Sequence, residues 1–228
     1  MTEDNKIENL LIRIDSSALV KVSNSVKVTN KIIQEHEERH LKTIFPTVKI
    51  GNQKWMSKNL DVDCFANGDP IPEAKSNEEW EKAGENEQPA WCFNVLAKAE
   101  KYGKLYNWYA ANDPRGLAPA GFHLPTDAEW SALENHLGND AGAKMKSKNG
   151  WNQNGNGTNE SGFSGLPGGS RYFEGIFFII GNHGSWWSSS EHFKYNKAWS
   201  RSLSHDCDIV KESSDHKGDG LSVRCLRD

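Results

Sequence analysis

Residues 186–228 read WWSSSEHFKYNKAWSRSLSHDCDIVKESSDHKGDGLSVRCLRD and combine two orderly flanks with an irregular middle. WWSSSE at the front and LSVRCLRD at the back have the aromatic and alternating character of packed strands. Within AWSRSLS, Trp199, Arg201 and Leu203 fall on one side of a strand and the intervening serines fall on the other. We expect the first side to belong to the scaffold, with Arg201 stacked or paired, and the second side to offer only small hydroxyl groups.

Two segments upstream carry clear local signals. Residues 45–62, FPTVKIGNQKWMSKNLDV, predict two short strands, VKI and QKWM, around a Gly-Asn turn. Residues 125–138, PTDAEWSALENHLG, predict a helix that begins after Thr126, has Glu129 as its capping-box partner and ends at Gly138. The inner stripe of this helix comprises Trp130, Leu133 and Leu137.

Other segments carry weaker signals. KYGKLYNWYAAND, residues 101–113, predicts one short buried helix whose shared face holds Tyr102, Leu105, Tyr106 and Tyr109. Residues 150–171 are rich in Gly, Asn and Ser and predict a loop, whereas the apolar run GIFFIIG, residues 175–181, predicts a buried strand. SWWSSSE, AWSRSLS and LSVRCLRD are three further strands, and a charged turn is expected ahead of Ser213.

The first 44 residues differ from the remainder of the chain. Leu19, Val22, Val26 and Ile33 fall on one side of a helix, although VKVSNSVKV can also be read as a strand. This segment, residues 1–44, either packs on its own domain or serves to dock a partner or to self-associate.

The composition argues against several classes of function. The net charge of −4, from 27 basic and 31 acidic residues, provides no basic field for nucleic acid. No apolar run is long enough to span a membrane, and the acidic start MTEDNKIENLLIRID lacks a signal-peptide pattern. Because Cys64, Cys92, Cys207 and Cys225 form no CxxC pair, we expect reduced thiols in the cytoplasm and no zinc site.

Six pieces of the sequence carry a resemblance to a known family. They are VKIGNQKWMSKNLDV, YGKLYNWYAA, GFHLPTDAEWSALENHLG, SGFSGLPGGSR, WWSSSE and GLSVRCLRD. The series resembles the Fibrobacter succinogenes major paralogous domain, which is similar to the formylglycine-generating-enzyme branch of the C-type lectin fold. Over residues 45–228 this resemblance implies a C-type-lectin-like α+β domain with two helices, small antiparallel sheets and long ordered loops. Its ligand face would lie near the C-terminus.

The resemblance also raises an enzymatic alternative. The related enzyme oxidises a cysteine with a copper-binding cysteine pair, whereas the matching stretch here contains Cys207 alone, and Cys225 matches a structural position. HDCD, residues 205–208, would point alternate side chains to opposite faces of a strand, so its acids and histidine do not converge on a metal. The lectin calcium motifs are also missing from the sequence. We therefore expect no catalytic residue, no metal and no cofactor.

The irregular middle resembles the variable region of proteins diversified by a retroelement that mutates adenines in a template copy. An asparagine codon mutated in this way cannot encode Lys, Glu, Gln, Met or Trp, so Lys194, Lys197, Lys211 and Glu212 are expected to be fixed or differently encoded. The candidate ligand-binding residues are His192, Phe193, Tyr195, Asn196, Ser200, Ser202, Ser204, His205, Asp206, Cys207, Ser213, Ser214, Asp215, His216 and Asp219.

The function that the sequence favours is therefore non-catalytic recognition of a protein ligand, with Phe193 and Tyr195 as aromatic anchors. The bland alternatives are a solvated sheet edge and an ordinary binding loop without diversification. An oxidase or hydrolase of the same architecture and a carbohydrate-binding module are the remaining alternatives. Neither nucleic acid nor membrane is expected as a partner.

Overall fold

The computed structural model describes residues 26–28, 31, 45–94, 99–178 and 180–228. The chain divides into two units, Met1–Phe45 and Pro46–Asp228. In the first unit, residues 26–28 and 31 are helical, and the rest of the segment expected to form a helix lies outside the described residues.

The second unit is a mixed α/β structure with few helices and small antiparallel sheets. Its helices are α1 (Asn77–Glu85), α2 (Ala99–Tyr102), α3 (Trp108–Ala111), α4 (Asp127–Leu137) and α5 (Ala141–Met145). Its strands are β1 (Thr47–Ile50), β2 (Gln53–Met56), β3 (Trp91–Cys92), β4 (Leu105–Tyr106), β5 (Phe122–His123), β6 (Ser170–Arg171), β7 (Phe177–Phe178), β8 (His183–Glu191), β9 (Lys197–Ser204), β10 (Lys211–His216) and β11 (Leu226–Arg227).

Two sheets organise this unit. One is four-stranded in the order β1-β2-β11-β5, and the other is three-stranded in the order β10-β9-β8. Two short pairs, β3-β4 and β6-β7, complete the sheets among the described residues. Because the last strand, β11, pairs with β2, the end of the domain is closed onto its beginning.

The expected hairpin and helix are confirmed. β1 and β2 pair across a turn in which Gly51 adopts a φ of 59°, a conformation that favours glycine. Helix α4 begins after Thr126, whose side chain accepts from the backbone of Glu129 in a complete capping box, and Gly138 follows its last residue. Local sequence chemistry is sufficient to specify both elements.

The core is built from large aromatic side chains. Trp55, Trp130 and Trp186 are each fully buried around Phe163. The Trp55 and Trp130 rings lie 4.7 Å apart, and Phe163 meets Trp186 edge-on at 5.6 Å. Such offset and edge-on pairs hold rings in a defined geometry, so α4, β2 and β8 are locked to one another.

A buried arginine ties the last part of the chain to this core. Arg224 is fully buried, donates to the carbonyls of Met56 and Phe163 and to the side chain of Asn59, and stacks on the Phe163 ring. Desolvation lowers the pKa of Arg224 to about 9. These hydrogen bonds hold the LSVRC segment in place. Most of the strand expected over LSVRCLRD makes only isolated bridges, and β11 is limited to Leu226–Arg227.

The prediction of a single helix over residues 101–113 is wrong. The chain instead forms α2, β4 and α3, because Gly103 has a φ of 75° and a Cβ there would stand 2.9 Å from the Leu60 carbonyl oxygen. Asn107 then starts a new helix, since its side chain accepts from the Ala110 N–H.

Three further expectations need correction. Among the described residues of the run GIFFIIG, only Phe177 and Phe178 form a strand, the half-buried β7, and Ile176 beside it is 63% exposed, because the strand lies in a surface hairpin. Residues 205–208 form a turn and a bend rather than a strand. Lys211 and Glu212, expected in a charged turn, begin β10.

Candidate recognition surface on the C-terminal sheet

The register of the three-stranded sheet sorts its side chains onto two faces. Trp186 pairs with Arg201, and Arg201 pairs with Glu212, so these three side chains share what we call the arginine face. The opposite face, here called the serine face, comprises Ser185, Trp187, Ala198, Ser200, Ser202, Lys211, Ser213 and Asp215. The alternation expected for AWSRSLS is confirmed.

The arginine face is scaffold. Arg201 is 1% exposed and forms ion pairs with Asp127 and Glu134 of α4 and with Glu212 of β10, at N···O distances of 2.6, 2.5 and 2.8 Å. It also donates to Ser131 of α4. Burial raises the pKa of Glu134, against the opposing effect of Arg201. One guanidinium therefore joins the helix to two strands of the sheet.

The serine face is only partly available at the surface. Ser202 and Ser213 are half-buried, whereas Ser200 is fully buried. The Ser200 hydroxyl donates to a carboxylate oxygen of Asp215 at 2.5 Å. Asp215 is thereby held in one orientation by a neighbouring strand.

The turn between β8 and β9 presents the most exposed aromatic residues of this region. Phe193 is 85% exposed and Tyr195 is 91% exposed. Between Tyr195 and β9, Asn196 adopts a φ of 58°, accepts a 2.8 Å hydrogen bond from the Tyr109 hydroxyl and lies 2.8 Å from His216 Nε2. The backbone of the turn is thus anchored while its two aromatic side chains point into solvent.

His192 supports the same turn from the other side. Its ring lies 4.1 Å from that of Phe193 and 4.4 Å from that of Trp199. His192 Nδ1 accepts from the backbone N–H of Lys194, and the backbone N–H of His192 donates to the Lys197 carbonyl. His192 is therefore both a contact of the exposed Phe193 and a part of the turn.

A second group lies at the opposite end of β9, roughly 23 Å away along the strand. Ser204 donates to Asp206, and His205 Nε2 lies 3.1 Å from Gln153 Oε1. The buried Lys146 ammonium donates to the carbonyls of Ser204 and Cys207 and so fixes this loop. The predicted site residues therefore form two groups joined by the serine face.

A cleft of about 600 Å³ lies where the first group meets the β6–β7 hairpin. From the predicted set it brings together Ser214, Asp215, His216 and Asp219. Tyr172, Phe173 and Ile176 of the facing hairpin also line the cleft, and none of them is in the predicted set. Tyr172 and Phe173 lie between the predicted loop and the predicted strand, and Ile176 was expected only as part of a buried strand.

Two predicted contact residues lie beneath the surface and correct the candidate set. Ser200 is fully buried on the central strand, in register with Trp187 and Ser213, and its hydroxyl donates to Asp215. Asp219 is 7% exposed, since its carboxylate accepts the backbone N–H groups of Phe173 and His216. Burial raises the pKa of Asp219 to about 7.

Comparison with known proteins places the domain in a family. The family described as the Fibrobacter succinogenes major domain has a model that matches residues 48–227. The chain belongs to this family. No curated protein and no solved structure gave a significant match to the chain.

The cysteines of this Fibrobacter succinogenes major domain are dispersed. All four lie among the described residues and are free, with Cys64 exposed, Cys207 half-buried and Cys92 and Cys225 buried. Burial raises the pKa of the Cys225 thiol to about 12 and that of Cys92 to about 11. Neither buried thiol is poised to react as a thiolate.

The described residues contain no group of three or more His, Cys, Asp or Glu side chains arranged to hold a metal ion. Within the same ranges, no helix combines the length and apolar character needed to cross a bilayer.

Proposed function

We propose that this protein is a non-catalytic, protein-binding domain with a C-type-lectin-like fold and a diversified recognition face, a variable protein of a diversity-generating retroelement. One observation carries the proposal: Phe193 and Tyr195 stand 85% and 91% exposed on a turn whose backbone is held in place. Large apolar side chains are costly to leave in water, and rigid aromatic anchors are typical of protein-binding surfaces.

The scaffold beneath the turn supports a tolerant surface. The aromatic core, Arg201 and Arg224 are all buried and make their contacts away from the exposed turn. Substitutions at exposed positions then change stability by about 0.5 kcal/mol or less. A surface of this kind can vary in sequence while the fold beneath it stays intact.

Four residues of the variable-looking region, Lys194, Lys197, Lys211 and Glu212, cannot arise from an asparagine codon by adenine mutation. Two of them make contacts with the scaffold. Glu212 forms an ion pair with Arg201, and Lys197 donates to the Ser214 carbonyl at 3.2 Å. These contacts are those expected of fixed framework positions within a variable region. Lys194 is exposed and makes no comparable framework contact, so its constancy rests on the codon argument alone.

The oxidoreductase alternative gains no support from the geometry. It needs two thiolates close together, whereas Cys207 lies in the β9–β10 loop and Cys225 is fully buried with a raised pKa. A carbohydrate platform built on Trp186 or Trp187 meets a similar difficulty, because both side chains are fully buried.

Sequencing the genomic locus tests the diversification. We expect a reverse transcriptase gene and an imperfect repeat of the 3′ coding end that differs from it at adenines. The mismatches should fall at codons of exposed residues such as Phe193, Tyr195 and Asp206, and the Ser200 codon should vary least. A repeat whose mismatches fall outside residues 192–219 contradicts the proposal.

A binding experiment tests the recognition surface itself. Proteins captured from the native host with the wild-type chain are compared with those captured by the double variant Phe193→Ser/Tyr195→Ser, and each candidate partner is then purified and its affinity measured. We expect at least a roughly thirtyfold loss of affinity, since even one aromatic hot spot contributes about 2 kcal/mol or more. Asn135→Ser on the exposed surface of α4 is the matched control, and equal binding by the double variant refutes the assignment of the turn.

A further inference from the structure

The cleft beside the recognition turn has an apolar wall that the candidate set did not contain. Tyr172, Phe173 and Ile176 are 43%, 36% and 63% exposed on the β6–β7 hairpin. They face the end of the edge strand β10 across a cleft of about 600 Å³. Aromatic and aliphatic groups left in water around a concavity are a feature of binding surfaces.

The cleft is rich in carboxylates. Glu174 and Asp215 line it, and neither forms an ion pair among the described residues. Asp219 also lines it but is nearly buried, and burial raises its pKa to about 7. The cation in the cleft, Lys197, donates to the backbone carbonyl of Ser214. Carboxylates without a cationic partner favour a positively charged occupant.

The aromatic side chains narrow the chemistry of that occupant. The Phe173 ring lies 4.6 Å from the His216 ring, and Tyr172 stands beside it on the hairpin. A planar guanidinium can stack on such rings while it donates to a carboxylate, whereas an ammonium provides a point charge without a stacking plane. Asp215 is already oriented by the Ser200 hydroxyl and so is pre-organised to accept those donors.

We infer that this cleft receives an arginine side chain of the protein ligand, between the aromatic wall of the β6–β7 hairpin and Asp215 of β10. This inference rests on the proposed function, because it names the partner chemistry of the same recognition surface. It extends the surface to Tyr172, Phe173 and Ile176, which lie upstream of the variable-looking region. Arginine is also among the residues most enriched at binding hot spots.

Amide chemical-shift titration of the whole chain tests the inference without a known ligand. The probe is N-acetylarginine amide, and N-acetylcitrulline amide is its neutral isostere. We expect saturable shifts with the arginine probe at Phe173, Ser214, Asp215 and His216, with a dissociation constant on the order of millimolar. The citrulline probe should leave the same signals unshifted.

Variants locate the interaction. Asp215→Asn keeps an acceptor for the Ser200 hydroxyl and should weaken arginine-probe binding about tenfold, the effect of losing one charge-assisted bond. Glu174→Gln, on the exposed hairpin turn, should also weaken it. Glu160→Gln is the matched control, since Glu160 is an exposed carboxylate outside the candidate set that does not line the cleft.

The outcomes separate the inference from the proposed function. Failure of the arginine probe to saturate, equal binding of the citrulline probe or of N-acetyllysine amide, or shifts confined to other surfaces each overturns the arginine site. These readouts of the wild-type chain decide the matter even where a variant fails to fold. If the probe does not bind but partner binding depends on Phe193 and Tyr195, only the arginine site is overturned and the proposed function stands. A positive probe result with partner binding indifferent to that turn supports the cleft and overturns the role proposed for the turn.

Discussion

Replacement of Arg201 by methionine should destabilise the domain by about 3 kcal/mol at pH 7. The guanidinium is 1% exposed and lies within 2.8 Å of carboxylate oxygens of Asp127, Glu134 and Glu212. Methionine fills part of the same volume but leaves the carboxylates near one another without their shared cation. The perturbation therefore removes the link between α4, β9 and β10 with little change in shape.

The magnitude follows from the burial of each partner. Removing one member of a buried ion pair costs about 3–5 kcal/mol, because the other charge is left uncompensated. The side chains of Asp127, Glu134 and Glu212 are 29%, 25% and 48% exposed, so water can partly solvate them again. The lower end of the range applies. Arg201→Lys keeps the charge, loses the forked geometry and should cost about 1–2 kcal/mol.

Urea unfolding at pH 7 and pH 4 measures both the loss and its origin. In the wild type, burial raises the pKa of Glu134 while Arg201 opposes that effect. Without Arg201 the folded-state pKa of Glu134 rises further, so the folded variant takes up a proton that its unfolded chain releases more easily. The variant therefore gains stability relative to the wild type as the pH falls, and the difference between the two shrinks.

The reasoning is refuted by a loss at pH 7 of less than about 1 kcal/mol, the scale of an exposed ion pair. A larger loss that stays the same at pH 4 is equally damaging, because it would indicate lost packing rather than lost charge compensation. Lys194→Met, at an exposed lysine of the β8–β9 turn, is the matched control and should stay near the wild type.

Ser200→Phe should lower the free energy of unfolding by about 2–4 kcal/mol through overpacking and the lost hydrogen bond to Asp215, whereas Tyr195→Ser should change it by no more than about 0.5 kcal/mol. Equal shifts of the two variants in thermal unfolding would contradict the division into scaffold and surface. Burial raises the pKa of Asp219 to about 7, so the wild type should lose stability relative to Asp219→Asn as the pH rises from about 4 to 7; parallel stability curves would disprove this. Iodoacetamide should modify the exposed Cys64 in the native protein and the buried Cys225 only on unfolding, as followed by mass spectrometry. Similar modification rates for the two thiols in the native protein would contradict this expectation.

Local chemistry was enough to predict several elements. The Gly-Asn turn specified the β1–β2 hairpin, and the Thr126–Glu129 capping box specified the start of α4. An equivalent box at Ser76 and Glu79 begins α1, so the sequence also carried a signal for this helix, which was not predicted. These features depend on neighbours within a few residues, so they can be read without the fold.

Other features depended on partners far along the chain. The helical pattern over residues 101–113 was real, but Gly103 lies against the Leu60 carbonyl and turns the backbone out of the helix. The apolar run at residues 175–181 predicted burial, whereas the hairpin it joins lies at the surface and leaves Ile176 exposed. Neither the close approach at Gly103 nor the surface position of the hairpin can be predicted from the local sequence.

The sequence by itself determined the side-chain alternation of β9, because a strand directs successive residues to opposite faces whatever surrounds it. It therefore placed Arg201 and Leu203 together on the scaffold side and Ser200 and Ser202 together on the other. Only the tertiary structure decided that Ser200 is buried while Ser202 is half-buried, and that the β6–β7 hairpin stands opposite Asp215 to form a cleft. The reason is physical: direction is a local property of the backbone, whereas burial depends on which distant elements pack above each side chain.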